Sequence, residues 1–217
     1  MNTTTIRLAL ASENPGKLAE FREALAGLPM ELSSAAELGV TGFPEETGAS
    51  YEENALIKAA HVTLKSGLVT LADDSGLEVD ALQGQPGVHS ARYGGPGLTN
   101  GERMAHLLQR VRKVPDAERT ARFVAVIVVA TPGGAVHTFR GETEGRLLHG
   151  PRGSAGFGYD PIFFSPELGK SFAEASVAEK RSVSHRGRAL QAFVAWAASP
   201  AGAEQLRLMT PRPSAEE

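Results

Sequence analysis

The sequence predicts an α/β fold built on a mixed β-sheet. Short apolar or β-branched runs, which are typical of strands, alternate with segments whose apolar residues recur at helical spacing. Three segments begin with Ser or Thr followed three positions later by Glu, which is the pattern of a capping box at a helix start. One pair of strand-like runs is joined by Pro132-Gly133-Gly134, so a hairpin is expected beside the strands that helices connect.

The first elements are predicted to be a strand, a polar turn and a helix. Ile6 to Ala11 is a short apolar run that predicts a buried strand. Ser12-Glu13-Asn14-Pro15-Gly16 follows as the turn. From Lys17 onward the apolar residues have helical spacing, at Leu18, Phe21, Leu25 and Leu28.

The second helix and the third strand are predicted next. Ser50-Tyr51-Glu52-Glu53 is the first capping box, in which the serine hydroxyl and the Glu53 carboxylate are expected to bond reciprocally to free amides at the helix start. This helix should run to about Ser66. Leu68 to Ala72 then forms a buried strand, and Asp73-Asp74-Ser75-Gly76 is expected to end it in a turn.

The second half of the chain contains the hairpin and two more capping boxes. Residues 83–98 are rich in Gly and Pro and are predicted to be mostly loop, before Thr99-Asn100-Gly101-Glu102 starts a helix that reaches about Arg112. Phe123 to Ala130 and Ala135 to Glu144 are the hairpin strands. The third box, Ser176-Val177-Ala178-Glu179, predicts one long terminal helix with Leu190, Phe193, Val194 and Trp196 on its apolar side.

Length and composition predict a single domain with a large core. The 217 residues, of which 41% are hydrophobic, suffice for one core or for two lobes that share a sheet. We expect the domain to span residues 1–209 and the polar, proline-containing segment 210–217 to be a disordered tail.

Charge and cysteine content exclude several classes of protein. The chain has no cysteine, which rules out disulfides, thiolate metal ligands and a cysteine nucleophile. A formal net charge of −3 argues against binding nucleic acid or an anionic membrane surface. Neither a signal peptide nor an apolar stretch of ~18 residues is present in the sequence. A cytoplasmic protein that binds anions locally is therefore expected.

The first candidate site is the segment Ser12-Glu13-Asn14-Pro15-Gly16-Lys17. Small polar residues between a strand and a helix allow backbone amides to converge at the positive end of the helix dipole, and Lys17 adds a full positive charge. This arrangement favours phosphate binding. The alternative is an ordinary loop in which Ser or Asn caps the helix, since the glycine spacing of a nucleotide P-loop is absent.

The second candidate site is the pair Asp73 and Asp74, with Ser75 beside it and Glu45 and Glu46 as possible partners. Mg²⁺ prefers oxygen ligands and usually takes one or two carboxylates together with waters and substrate phosphates. One aspartate would then act as a general base toward a water activated by the metal. The alternative is that the two aspartates only cap a turn.

The third candidate site is Gly156-Phe157-Gly158-Tyr159-Asp160-Pro161. Glycines around two aromatic rings, followed by an aspartate that Pro161 holds extended, suit a slot in which a planar base stacks and a carboxylate meets its edge. The preceding residues 151–155 predict an exposed, mobile loop. Packing of the two aromatic residues in a core is the alternative.

The fourth candidate site is the basic segment from Glu179 to Arg188. Lys180, His185 and Arg186 are the residues expected to neutralise phosphates and to donate hydrogen bonds to a base carbonyl. The other basic residues, Arg181 and Arg188, are expected on a solvated helix face. The segment lacks the interleaved aromatic residues of a nucleic-acid-binding surface.

These four segments, in this order, resemble the family of non-canonical purine nucleoside triphosphate pyrophosphatases, the inosine/xanthosine triphosphatases. The resemblance runs from about Leu8 to Ala197. Besides the four segments, it rests on Glu45-Glu46-Thr47-Gly48, Glu53-Asn54-Ala55, Ala72-Asp73-Asp74-Ser75-Gly76-Leu77, Pro86-Gly87-Val88-His89-Ser90-Ala91-Arg92-Tyr93 and Ser184-His185-Arg186.

The resemblance implies a fold, an activity and a set of partners. The fold would be two-lobed, with a long central mixed sheet flanked by helices and the active-site cleft between the lobes. The activity would be Mg²⁺-dependent hydrolysis of dITP, ITP and XTP to the monophosphate and pyrophosphate, which cleanses the nucleotide pool. A homodimer is also implied.

The resemblance also assigns roles to residues. Ser12 through Lys17 would hold the triphosphate, Asp74 would be the proton acceptor and a metal ligand, and Ser75 would contact substrate. Glu45 or Glu46 would be a further metal ligand. The nucleotide pocket would be built from Phe157, Gly158, Tyr159, Asp160, Lys180, His185 and Arg186.

Two other functions remain alternatives at this point. A related pyrophosphatase could act on modified pyrimidine or dTTP-like substrates on a similar fold. A nucleotide-binding module without turnover is the alternative from another class, and two adjacent acids beside a phosphate-type loop argue against it.

Overall fold

The protein forms an α/β structure, as predicted. The computed structural model describes residues 5–209. Its strands are β1 (Ile6–Leu10), β2 (Met30–Ser34), β3 (Val69–Val79), β4 (Thr120–Ala130), β5 (Val136–Leu147), β6 (Phe163–Ser165) and β7 (Lys170–Ser171). Its α-helices are α1 (Pro15–Ala24), α2 (Tyr51–Ser66), α3 (Asn100–Arg110), α4 (Val177–Val183), α5 (His185–Ala198) and α6 (Pro200–Met209).

Within the described residues, the strands form one mixed sheet in the order β2-β1-β3-β4-β5-β6-β7. Strand β1 pairs in parallel with both β2 and β3. The pairs β5-β6 and β6-β7 are antiparallel. The mixed sheet that the sequence predicts is therefore confirmed, with its parallel part formed by the N-terminal strands.

The chain divides into two compact units. The first contains the chain up to Asp74, residues Val126–Phe139 and the chain from Leu190 onward; the second contains Ser75–Ala125 and Arg140–Ala189. Strands β3, β4 and β5 each contribute residues to both units. The single two-lobed domain and its cleft stay predictions, and the predicted tail, residues 210–217, lies outside the described residues.

The first unit buries the parallel strands under helices. Every residue of β1 except Arg7 is buried, as expected for a parallel strand with neighbours on both sides. The largest fully buried side chains of this unit are Leu8, Leu10, Phe21, Leu71, Ile127 and Phe193. Strand β1 and helix α1 therefore both contribute side chains to this core, close to the segment that joins them.

Strand β3 does not end at the paired aspartates. The sequence predicts a turn at Asp73-Asp74-Ser75-Gly76, but β3 continues to Val79 without interruption. Pairing with β1 covers Val69–Leu71, and the neighbouring strand β4 favours the extended chain over the local turn preference of the residues that follow. The two acids consequently lie in the middle of a central strand, where all residues from Val69 to Asp74 are buried.

Two of the three predicted capping boxes form as expected. In those at Thr99 and Ser176, the side chain of the first residue and that of the Glu three positions later each bond to the other's backbone amide. At α2, Ser50 accepts from the amide of Glu53, but the Glu53 carboxylate accepts from the amide of Ala49 at 2.6 Å. The Glu53 carboxylate thus bonds to the amide one residue before Ser50, the partner that the capping box predicts.

The predicted long terminal helix is broken into α4, α5 and α6. Ser184 is extended (φ −73°, ψ 153°), and its hydroxyl accepts from the amide of Gly187, so it ends α4 and starts α5. Ser199 accepts from the amide of Gly202 in the same way at the start of α6. Serine side chains that compete for backbone amides account for both breaks.

The predicted loop and hairpin are largely confirmed. Residues 83–98 contain one short 3-10 helix, Gly87–Arg92, and are otherwise irregular. Strands β4 and β5 are neighbours in the sheet and flank the turn at Pro132-Gly133-Gly134. Among residues 5–209, no helix has the length and apolar character needed to cross a membrane.

The second unit has an aromatic core, and the buried guanidinium of Arg119 lies in the same unit. Phe123 lies 4.6 Å from Phe163 and 5.9 Å from Phe172, measured between ring centroids. Arg119 is 2% exposed and donates hydrogen bonds to three backbone carbonyls, those of Val111 (2.8 Å), Leu147 (3.0 Å) and Leu148 (2.8 Å). One side chain thus satisfies carbonyls from the end of α3 and the end of β5.

We predict that Arg119→Met destabilises the protein by at least about 2 kcal/mol, because it leaves three carbonyls without their donor. The matched control is Arg112→Met, at an exposed position nearby, which should change the free energy of unfolding by less than about 0.5 kcal/mol. Urea unfolding followed by circular dichroism measures both. Equal stability of the two variants would contradict the role given to Arg119.

Candidate active site

The segment Ser12–Lys17 leaves β1 and starts α1. Asn14 is the N-cap, and its Oδ1 accepts hydrogen bonds from the amides of Gly16 (2.9 Å) and Lys17 (3.3 Å). The hydroxyl of Ser12 accepts from the amide of Asn14 at 3.2 Å. The capping alternative is therefore realised, and an anion at this helix start would compete with the Asn14 side chain for the amides.

Part of this segment lines a pocket of about 290 Å³ in the first unit. The polar residues that line it are Ser12, Glu13, Asn14 and Lys17 from the segment, with Glu46, Lys58 and Asp73 from elsewhere in the unit. Pro15 and Gly16 are exposed. Two lysines and several hydrogen-bonding groups suit this pocket to a phosphate-bearing ligand.

Asp73 is buried in β3 and forms an ion pair with Lys17. The distance from Asp73 Oδ1 to Lys17 Nζ is 2.9 Å, and the Asp73 side chain is 0% exposed. A buried carboxylate needs such a partner because removal of a charge from water is costly. The pair therefore holds the lysine of the predicted phosphate segment against the strand.

Asp74, the next residue of β3, has different partners. Its Oδ2 accepts a hydrogen bond from Asn54 Nδ2 at 3.2 Å, and its Oδ1 lies 3.5 Å from Lys58 Nζ. Burial and the neighbouring Glu46 carboxylate raise the pKa of Asp74 above its ordinary value, although Lys58 acts in the opposite direction. A carboxylate whose proton affinity is increased is suited to act as a general base.

The segment 43–48, which we call the acid loop, brings one of its two glutamates to Lys58. The distance from Glu46 Oε1 to Lys58 Nζ is 2.6 Å, whereas Glu45 is exposed. Burial disfavours the charged ammonium, but Asp74 and the other nearby acids outweigh this and raise the pKa of Lys58. The sequence left the choice between the two glutamates open, and the structure places Glu46 beside the paired acids.

The carboxylate oxygens near Lys58 are suitable ligands for a hard divalent cation. Glu46 and Asp74 both contact the same ammonium group, so their carboxylates surround a position at which positive charge is favourable. Among residues 5–209 there is no group of three or more His, Cys, Asp or Glu that could hold a metal ion. Two carboxylates fit the habit of Mg²⁺, which takes its remaining ligands from water and substrate phosphates.

The aromatic segment 156–161 lies in the second unit and is held by Asp160. The Oδ2 atom of this buried aspartate accepts from the amide of Phe157 (2.9 Å) and from Lys180 Nζ (2.5 Å). Gly156 has a positive φ of 75°, and a Cβ there would overlap the Asp160 carboxylate. The prediction of an extended Asp160 is wrong, because residues Asp160–Ile162 form a short 3-10 helix.

The two aromatic residues of this segment differ in exposure. Tyr159 is buried, and its hydroxyl donates to the carbonyl of Ser90 at 3.0 Å. Phe157 is 44% exposed, and Gly158 between them is half-buried. Packing explains Tyr159, whereas the ring of Phe157 is available for stacking.

The predicted basic residues lie beside Phe157 and the aromatic core of the second unit. Lys180 and Arg186 are near the Phe157 ring, and His185 contacts the core. Lys180 Nζ lies 5.1 Å and the Arg186 guanidinium carbon 5.6 Å from the Phe157 ring centroid. The buried His185 ring stacks on Phe123 at 4.7 Å with 11° between the planes. Lys180 and Arg186 thus lie beside the exposed ring, and His185 belongs to the core next to it; their role in binding a nucleotide stays a prediction.

The start of α5 brings Arg186 to the residue that follows the paired acids. Arg186 Nη2 donates to Ser75 Oγ at 3.3 Å, and Arg186 is 4% exposed. The same end of α5 packs closely on β5, since a Cβ on Gly141 would overlap the carbonyl oxygen of His185. Arg188, by contrast, pairs with Glu167 at 2.6 Å.

Asn54 and Lys58, which both contact Asp74, were not chosen from the sequence. They are four positions apart on α2, so they share one face of the helix. Both are polar residues among the buried alanines and valine of this helix. Two polar residues at helical spacing on the side of a predicted helix that carries alanines are the signal that would have identified them.

The sequence matches the model of the Ham1 family over residues 8–196. A relative from Thermus thermophilus, named dITP/XTP pyrophosphatase, is 51% identical over 189 residues, which cover 87% of this chain and 90% of the relative. One from Geobacter sulfurreducens with the same name is 49% identical and covers 85% of this chain and 92% of its own length.

Solved structures show the same similarity. A HAM1 protein from Coxiella burnetii aligns with a TM-score of 0.83 at 41% identity, covering 88% of this chain and 97% of that one. The Ham1 protein of Staphylococcus aureus aligns with a TM-score of 0.80 at 36% identity, covering 87% and 96%. The family match, the relatives and the shared fold agree, and this chain belongs to the Ham1 family.

Proposed function

We propose that the protein hydrolyses the non-canonical purine nucleoside triphosphates dITP, ITP and XTP to the nucleoside monophosphate and pyrophosphate. The observation that carries this proposal is the buried pair of adjacent acids, each beside a lysine that lines a polar pocket of the first unit. Lysines attract a triphosphate, and a carboxylate can accept the proton of an attacking water. The names of the relatives support the choice of substrate.

In the proposed reaction, a water molecule attacks the α-phosphorus. A bond forms between this phosphorus and the water oxygen, and the bond to the oxygen that bridges to the β-phosphorus breaks. Asp74 accepts the proton of the water, and pyrophosphate leaves with the electron pair of the broken bond. Asp74 is the proposed base because burial and Glu46 raise its pKa, whereas Asp73 is occupied by Lys17 at 2.9 Å.

Lys17 and Lys58 are proposed to neutralise the phosphates. Both line the pocket, and their side chains are only 17% and 12% exposed. Ammonium groups held in place by buried carboxylates lose little freedom when a phosphate arrives. In this scheme Asp73 positions Lys17, and the polar groups of Ser12–Gly16 bind the remaining phosphate oxygens.

Mg²⁺ is the proposed cofactor, with Glu46 and Asp74 as the protein ligands. When bound, it would polarise the attacking water and offset the charge of the leaving pyrophosphate. The carboxylates of Glu46 and Asp74 would exchange the ammonium of Lys58 for the cation, which frees Lys58 to pair with a phosphate. The exposed Glu45 is not part of this set.

The cluster of the second unit is proposed to bind the purine base. The exposed ring of Phe157 offers a face for stacking, and the amide of His185 together with Arg186 offers donors for the carbonyl at position six of hypoxanthine or xanthine. Adenine carries an amine there and would leave these donors unpaired, at a cost of about 1–3 kcal/mol each. Ser75, which accepts from Arg186, is proposed to contact substrate.

The wider setting of the enzyme is also a proposal. Removal of deaminated purine nucleotides before polymerases incorporate them is a cytoplasmic, house-cleaning role. A homodimer is proposed from the resemblance of the sequence to its family.

We predict that Asp74→Asn lowers kcat for ITP by about 10²- to 10⁴-fold while the protein stays folded, because the general base is lost. Asp116→Asn, which alters an exposed acid of the second unit, should keep wild-type kcat. Pyrophosphate release measures turnover, and circular dichroism checks folding. Near wild-type turnover by Asp74→Asn would remove it from this role.

A panel of nucleotides tests the substrate and the bond that breaks. ITP, dITP and XTP should each yield monophosphate and pyrophosphate in one step with Mg²⁺, and ATP should react at least about tenfold more slowly, since its amine cannot pair with the donors. Accumulation of IDP with orthophosphate would contradict attack at the α-phosphorus. Preference for a pyrimidine triphosphate, or no turnover at all, would favour the alternatives above.

Phe157→Ala is predicted to raise KM for ITP about fivefold or more, because base stacking on an aromatic ring contributes about 1–3 kcal/mol. Phe157→Tyr keeps a stacking ring and serves as the control with KM near that of the wild type. Steady-state kinetics of ITP hydrolysis measure both. Equal KM values for the Ala and Tyr variants would show that the ring does not bind the base.

A further inference from the structure

Asn54 lies in the first turn of α2 and is 0% exposed. A buried amide costs free energy unless both of its ends are hydrogen-bonded. Its Oδ1 accepts from the amide of Gly48 at 2.8 Å, and its Nδ2 donates to Asp74 Oδ2 at 3.2 Å. This single side chain therefore joins the end of the acid loop to the proposed general base.

The orientation of the Asn54 amide is dictated by its partners. The backbone N–H of Gly48 can only donate, so it must face the carbonyl oxygen of Asn54. The NH₂ group is consequently turned toward Asp74, where it needs a lone pair on Oδ2. The other oxygen of Asp74, Oδ1, lies 3.5 Å from Lys58 Nζ and can accept a proton or a cation without disturbing the hydrogen bond from Asn54.

The packing around Gly48 leaves no room for another arrangement. A Cβ at this position would lie 2.6 Å from Glu53 Cβ and 2.8 Å from Asn54 Oδ1. The neighbouring amide of Ala49 donates to the Glu53 carboxylate at 2.6 Å. The acid loop is thus attached to the first turn of α2 at its end, and Glu46 is attached one turn later through Lys58.

We propose that Asn54 is a positioning residue, which rests on the hydrolysis proposed above. Its amide fixes the separation between Asp74 and the acid loop that carries Glu46. It also reserves Oδ1 of Asp74 for the reacting water and the cation. The hydrogen bonds of its side chain go to protein atoms at both ends, so Asn54 acts by positioning Asp74 and the acid loop.

Three variants and one control separate this role from mere stabilisation of α2. Asn54→Leu removes both hydrogen bonds, Asn54→Asp keeps an acceptor for Gly48 but removes the donor to Asp74, and Gly48→Ala pushes the loop away from an intact Asn54. The control is Thr63→Val, which removes a buried hydroxyl from the same helix but far along it from the acids.

The measurements are kcat and KM for ITP with Mg²⁺, the Kd for Mn²⁺ without nucleotide by electron paramagnetic resonance, and Tm. We expect both Asn54 variants and Gly48→Ala to lose about 10- to 100-fold in kcat, with KM changed by less than about threefold. Asn54→Leu and Gly48→Ala should also weaken Mn²⁺ binding about tenfold. Thr63→Val should keep the wild-type kcat and Mn²⁺ affinity whatever its Tm.

Two outcomes overturn the inference while the wild type remains active. One is a fall in Tm for Asn54→Leu and Gly48→Ala with unchanged kcat and Mn²⁺ affinity, which would make Asn54 purely structural. The other is wild-type kcat in Asn54→Asp, which would refute the assignment of Oδ1. If the wild type releases no pyrophosphate from ITP, dITP or XTP, the proposed function itself fails, and that result is distinct from both.

Discussion

Two adjacent carboxylates in the middle of a buried strand constrain the positions of the helices that pack beside it in the first unit. Neighbouring side chains of a strand point in opposite directions, so one cation cannot pair equally with Asp73 and Asp74. Each acid has its own lysine: Lys17 from the start of α1 for Asp73, and Lys58 from α2 for Asp74. The positions of both helices relative to β3 are therefore tied to the neutralisation of two buried charges.

The same contacts serve stability and the proposed chemistry. A lysine held by a buried acid is both the partner that makes the acid tolerable and a preorganised cation for a phosphate. Asn54 extends this arrangement to the acid loop, since it satisfies an amide of the loop and an oxygen of Asp74 at once. Loss of one member leaves a buried group without its partner, so stability and activity should be measured together for every variant in this cluster.

In the second unit, aromatic packing determines where the polar groups lie. His185 is stacked on Phe123, and Lys180 is held by the buried Asp160. The rings of the core thus fix the start of α5 and the end of the aromatic segment, while Phe157 stays exposed beside them. Burial distinguishes Tyr159, which packs in the core, from the exposed Phe157, for which base stacking stays a prediction, and burial depends on the rest of the unit.

The sequence by itself determined the features that depend on neighbours in the chain. The α/β class, the hairpin, the caps at Thr99 and Ser176 and the composition of the four candidate segments follow from local hydrogen bonding and apolar periodicity. These segments also indicated the family that the comparisons then showed.

The tertiary structure alone decided what depends on residues far apart in the chain. Strand pairing carried β3 through Asp73 and Asp74, where local preference predicts a turn. Glu46 and Glu45 differ in exposure only once the chain is folded. Folding also brings Lys58 to Glu46 and Asn54 to Asp74. Local preferences of a few tenths of a kcal/mol to about 1 kcal/mol per residue yield to such contacts, because pairing in a sheet and compensation of a buried charge each involve larger free energies.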